Sequence, residues 1–152
     1  MYTITVFGTP APQGSKRHVG KGVLVESSTR LRPWREAVKQ AALDVREQTL
    51  QGPLSVEIAF TFNKPKSAPK TKVTYPVTRS SGDLDKLCRA VLDALTDAGI
   101  MRDDSQVIEL IAAKGYAGED GELDIPGAVI EVRELNGPDI PGVLTVREVT
   151  IQ

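Results

Sequence analysis

The chain has one cysteine and one histidine in 152 residues. A single cysteine excludes a disulfide framework within the chain, and Cys88, on the apolar side of a helical pattern, is expected as a buried small hydrophobe in a reducing compartment. One histidine and one cysteine are too few for a His- or Cys-based zinc site. His18 would have to serve any Ser-His-Asp arrangement, and the nearby hydroxyls Ser15 and Ser27 lack the G-x-S-x-G elbow. Gly20-Lys21-Gly22 is not a phosphate-binding loop. No apolar run approaches the roughly 20 residues that a membrane span needs. The first residues, MYTITVFGTP, lack the basic-then-apolar layout of a signal peptide and read as a strand. Aromatics make up only 5% of the chain, so Trp34 draws notice. It could stack on an unpaired base, but its helical spacing with Val38 and Ala41 points to a core.

Charge is present and unevenly placed. The formal net charge is −1, yet residues 1–80 carry 13 Lys and Arg against 5 Asp and Glu, while residues 81–152 carry 6 against 15. A basic first half permits nucleic-acid binding by one face despite an acidic pI. Solvated surface of mixed charge is the plainer alternative.

Hydrophobic periodicity predicts an α+β fold in a single domain spanning 1–152, a mixed and partly antiparallel sheet packed with two main helices. Tyr2–Phe7, Leu54–Phe62 and Ala128–Glu134 alternate as strands, and shorter strands are expected at Val23–Glu26 and Val143–Ile151. Val107–Ala117 is a strand whose broken alternation suggests burial on both faces. Ser27, Ser28 and Thr29 offer N-caps for a helix over Leu31–Gln48. Gly8–Gly14 and Gly118–Asp124 are turns, and 135–142 is a Gly- and Pro-rich loop. Residues 63–81 hold Lys64, Lys66, Lys70, Lys72 and Arg79 among prolines and hydroxyl residues. This stretch reads as a mobile basic loop, functional or merely tolerated.

The most informative segment is GDLDKLCRAVLDALTDAGIMRDDSQV, from Gly82 to Val107. Leu84, Leu87, Cys88, Val91, Leu92, Leu95 and Ala98 make one apolar helical stripe. Asp83 or Asp85 can cap its first turn, and Gly99 is suited to its end. Arg89 lies four residues beyond Asp85, on the same face. Acidic pairs stand at both the start and the exit, at Asp83 and Asp85 and at Asp103 and Asp104. Convergence of these carboxylates would be costly without a cation. An all-oxygen set suits Mg²⁺ or Mn²⁺, ions that support chemistry on phosphate esters. Taken alone, Asp103-Asp104-Ser105 could be no more than a turn and cap.

This segment resembles the RusA family of Holliday-junction resolvases, small metal-dependent endodeoxyribonucleases. The elements of resemblance are the D-x-D start Asp83-Leu84-Asp85, the basic residue Arg89, Leu92-Asp93-Ala94-Leu95 with Ala98-Gly99, and the D-D-x-Q-V exit from Asp103 to Val107. A looser match covers the first strand with its Pro-rich turn and basic loop. The resemblance implies that Asp83, Asp85 and Asp104 hold Mg²⁺ or Mn²⁺. It places the family's catalytic lysine at Arg89, where arginine keeps the charge but cannot give up a proton near neutral pH. Lys86 is a candidate substitute.

The implied activity is paired cleavage of four-way junctions and related branched DNA by a homodimer in the cytoplasm of a bacterial or phage-infected cell, with no membrane association. Lys16, Arg17, Lys64, Lys66, Lys70, Lys72, Arg79 and Lys86 would hold the DNA backbone. Two other readings stay open: a non-catalytic binder of branched DNA, and a metal-dependent phosphoesterase acting on a small substrate.

Overall fold

A computed structural model describes residues 1–14 and 27–135 of the chain. In order these form β1 (Tyr2–Phe7), α1 (Ser27–Val45), β2 (Leu54–Phe62), α2 (Leu84–Asp97), β3 (Val107–Tyr116) and β4 (Gly127–Glu134), with 3₁₀ turns at Arg79–Ser81 and Asp104–Gln106. The strands expected at Val23–Glu26 and Val143–Ile151 lie outside the described residues.

The strand order is β1-β4-β2-β3. β4 runs antiparallel to β1 and β2, and β2 runs parallel to β3. The result is the α+β arrangement of a mixed sheet and two helices that the periodicity predicts. Alternation sends the even residues of β1, β2 and β4 toward the helices. One row crosses all four strands through Ile4, Ile130, Ile58 and Ala112. Its three isoleucines are buried in one cluster with Trp34, Val38 and Ala42 of α1 and Leu87, Val91 and Leu95 of α2. Each large side chain so buried contributes roughly 1.5–3 kcal/mol. Trp34 is 2% exposed, so it is core and offers no stacking platform.

Two boundaries and one environment differ from expectation. Ser27, Ser28 and Thr29 belong to α1 itself; first-turn N–H groups lack intrahelical partners anyway, so hydroxyl residues are tolerated there. The helix ends at Val45 and not Gln48. There the Tyr2 hydroxyl of β1 accepts from the Glu47 and Gln48 amides, at 2.9 and 2.8 Å, and donates to the Gln48 carbonyl at 2.7 Å. That is a tertiary contact invisible to a local pattern. β3 is not buried on both faces. Among the described residues it is an edge strand, with Ile108, Leu110 and Ile111 each 43–50% exposed.

The placement of the site follows from connectivity. β2, α2 and β3 make a parallel crossover unit, so α2 must run back against both strands. The start of α2 therefore lies at the carboxyl ends of β2 and β3, and its exit lies at their amino ends.

Candidate active site

At its start, α2 is anchored from three sides. Gly82 has φ +86°, and a Cβ there would come 2.9 Å from Pro12 Cγ, so the Pro-rich turn after β1 packs where only glycine fits. The Gln13 amide donates to the Lys86 carbonyl at 2.9 Å. Lys114 of β3 donates to the Gly82 carbonyl at 2.9 Å and to Ser81 Oγ at 3.1 Å. Ser81 is buried and donates in turn to the Pro76 and Thr78 carbonyls.

Because the backbone is held this way, the carboxylates stay free. Asp83 occupies the N-cap position, yet its side chain makes no capping bond. Among the described residues its one ion pair is a loose one with Lys86 at 3.7 Å. Asp85 is exposed, with no hydrogen bond or ion pair among the described residues. One turn further on, Cys88 is buried in the core. Burial pushes its thiol up to about 11 and the Asp85 charge adds to the rise, so it stays protonated and inert. Arg89 is exposed on the same helix, and it too makes no ion pair among the described residues.

At the exit, the acidic pair divides its labour. Asp103 caps the 3₁₀ turn: its Oδ1 accepts from the Ser105 amide at 2.8 Å, and Gln106 Oε1 accepts from the Asp103 amide at 3.2 Å. The Ser105 amide and hydroxyl, with the Asp104 side chain, hold the Asp103 carboxyl below its usual range. Asp104 takes no part in the cap. Partial desolvation, Asp103 and Asp93 push its carboxyl up, because each disfavours another negative charge. An acid in that setting gains from a nearby cation. Gly99, at φ +74°, closes α2 as expected.

The three carboxylates do not converge within one chain. The 14 residues of α2 put roughly 20 Å between its ends at 1.5 Å per residue. Among the described residues no three His, Cys, Asp or Glu side chains form a group that could hold a metal ion. The idea that the start and exit of one helix meet at one point fails for a simple reason: a parallel crossover places them at opposite ends of the sheet.

The basic residues also differ among themselves. Lys66, Lys70, Lys72 and Arg79 are exposed. Lys64 is not, since its side chain pairs with Glu119 and donates to the Lys72 carbonyl at 2.9 Å. Glu119 also accepts from the Thr74 amide, and these contacts hold its carboxyl below the usual range. The loop is therefore tied to the β3–β4 connection and not free along its length. Lys16 and Arg17 lie outside the described residues. A cleft of about 150 Å³, lined by Arg30, Asn63, Thr78, Ser80 and Tyr116 among others, opens beside Ser81.

A family model described as Endodeoxyribonuclease RusA matches residues 8–131. The chain belongs to the RusA family. It is also 29% identical over 145 residues to the uncharacterized protein YqaN of Bacillus subtilis (strain 168), a match covering 87% of this chain and 95% of that protein. The RusA match spans both acidic pairs, the basic loop and Arg89.

Three residues that hold these turns carry no role in the sequence pattern, although Gln106 stands within its D-D-x-Q-V exit. Gln106 anchors the exit turn, with Nε2 donating to the Leu50 and Gly52 carbonyls at 3.2 and 3.0 Å. It does carry a signal, because Asp103-x-x-Gln106 has capping-box spacing. Lys114 is distinguished only as a lysine on the apolar parity of a strand. Glu119 stands in an acidic turn, and nothing local pairs it with Lys64.

Proposed function

We propose that this RusA-family protein is a divalent-metal-dependent endonuclease that resolves Holliday junctions and related branched DNA by paired cuts, working as a homodimer. The observation that carries this is the pair of carboxylates at the start of α2. Asp83 stands at a helix N-cap without capping, and Asp85 has no partner among the described residues. Both are left open at a fixed backbone, and hard oxygen ligands of this kind fit Mg²⁺ or Mn²⁺.

Asp104 completes the ligand set from a second copy. Among the described residues β3 is the sheet edge, paired on one side only, with Ile108, Leu110 and Ile111 exposed, the features that invite another strand. Antiparallel pairing of β3 with its two-fold mate sets the amino end of one strand against the carboxyl end of the other. Asp104 then approaches the partner's Asp83 and Asp85, and two equivalent sites match the two-fold symmetry of a four-way junction.

A bound Mg²⁺ or Mn²⁺ would polarise the scissile phosphate and lower the pKa of the attacking water. Arg89, one turn past Asp85, stabilises the negative charge that builds on the phosphate; it acts by charge alone, because it cannot release a proton near neutral pH. Lys66, Lys70, Lys72, Arg79 and Lys86 hold the backbone, joined by Lys16 and Arg17. Lys64 serves mainly to shape the loop.

The test is cleavage of a synthetic four-way junction beside linear duplex. Paired nicks in the junction are expected with Mg²⁺ or Mn²⁺, and none with EDTA. Cutting in chelator would remove the metal from the proposal. Tight junction binding with no cut under either metal would favour the non-catalytic binder.

A further inference from the structure

We infer that Lys114 is a positioning residue for the Asp83-Leu84-Asp85 segment; the inference rests on reading Asp83 and Asp85 as metal ligands. Lys114 stands on β3 opposite Phe60, on the parity that Ala112 and Tyr116 turn toward the helices. It is half-buried there and makes no ion pair among the described residues. An ammonium withdrawn from water onto neutral oxygens alone carries a desolvation cost. A purely structural link would be met by a neutral donor.

The contacts are placed to orient a ligand. The Gly82 carbonyl, 2.9 Å from Lys114 Nζ, belongs to the planar peptide that leads into Asp83, so fixing that oxygen fixes the direction in which Asp83 leaves. Pro12 packs against Gly82. Asp83 has no cap bond of its own and only a loose pair with Lys86, so the order of its backbone comes chiefly through this peptide. Through Ser81 Oγ the same ammonium reaches the end of the basic loop, because Ser81 bonds the Pro76 and Thr78 carbonyls.

The full-length protein with Lys114→Met, Lys114→Arg or Ser81→Ala tests this by three readouts: amide hydrogen exchange over 82–85, Mn²⁺ affinity by calorimetry without DNA, and the Mg²⁺ dependence of junction cleavage. Lys114→Met is expected to exchange faster at 82–85 and to lose roughly 10–100-fold in Mn²⁺ affinity and cleavage, the scale for removing a group that orients a ligand. Its junction affinity in EDTA should fall far less than its Mn²⁺ affinity, and Lys114→Arg should recover most of the loss. Wild-type exchange and Mn²⁺ affinity in Lys114→Met would overturn the assignment. Should Lys114→Met fail to fold, Ser81→Ala carries the same test, with the same shifts expected at smaller size and their absence equally decisive. If the wild type neither binds Mn²⁺ nor cuts, while Lys114→Met still exchanges faster, the nuclease reading falls and the backbone clamp stands.

Discussion

The two ends of α2 carry the same residue type and handle it in opposite ways. At the start, Pro12, Gln13 and Lys114 hold the backbone from outside, and both aspartates are left open. At the exit, the turn is held from within: Asp103 is consumed as a cap and Gln106 as an anchor, and only Asp104 remains. An aspartate becomes available for chemistry when something else satisfies the neighbouring amides. Acidic residues alone do not tell a cap from a ligand; the hydrogen bonds around them do.

The largest effects should come from the open carboxylates. Asp85→Asn and Asp104→Asn are each expected to abolish junction cleavage while still folding, because both residues are exposed. Mixing the two inactive proteins distinguishes a shared site from a self-contained one. If Asp104 serves the partner's Asp83 and Asp85, the mixed dimer has one intact site and nicks a single strand. If every site lay within one chain, both would be damaged and the mixture would stay inactive.

Next in size is Arg89, which lies between the two ends. Arg89→Ala should lose on the order of 10²–10³ in rate, the usual scale for one transition-state stabiliser, and Arg89→Lys should keep activity. A gain in Arg89→Lys with a new ionisation in the pH–rate profile would mean that the position moves a proton.

The basic loop feeding the start should show smaller effects. Replacing Lys66, Lys70 and Lys72 by Met should flatten the salt dependence of junction binding, by about 0.9 in log–log slope for each phosphate no longer neutralised. Lys64→Met should leave that slope nearly unchanged and instead loosen residues 64–74, detected by faster hydrogen exchange. Since Glu119 is held below its usual range by Lys64 and the Thr74 amide, the tie is fully present above the ordinary carboxylate range. It is lost as pH falls through the lowered value. Loop exchange that does not respond to acid would remove Glu119 from this role.

How much of this is legible in the sequence varies by the kind of force involved. β1 and β2 are readable to the residue because alternation on a sheet with one buried face is a local signal. The apolar stripe of α2 is readable because a helical period is local too. The end of α1 is not, because the Tyr2 hydroxyl sets it from 45 residues away in sequence. The D-x-D and D-D-x-Q-V elements are legible as pattern, but their separation by the length of α2 is not. Spacing in sequence says nothing of direction until β2 and β3 are known to be parallel. The same holds for β3, whose mixed apolar pattern suggests cover on both faces, while the strand order puts it at the edge among the described residues. Lys114 and Glu119 act through partners 32 and 55 residues distant, beyond any local rule.

The smallest effect belongs to the cap. Asp103→Ala removes the acceptor for the Ser105 amide, but Gln106 still ties the turn to the Leu50 and Gly52 carbonyls. A slight fall in Tm with junction cleavage retained is expected, since an N-cap residue contributes to stability without reaching substrate. Gln106→Ala should cost more in Tm, because it frees the turn from the α1–β2 connection. Asp104→Asn should behave in the opposite sense, with cleavage lost and Tm held or raised, because desolvation, Asp103 and Asp93 all disfavour its charge. Melting curves and cleavage rates for the three variants, measured side by side, decide the assignment. If Asp103→Ala stops cleavage without moving Tm, and Asp104→Asn moves Tm without stopping cleavage, the two adjacent aspartates have exchanged roles, and the ligand at the exit of α2 is Asp103.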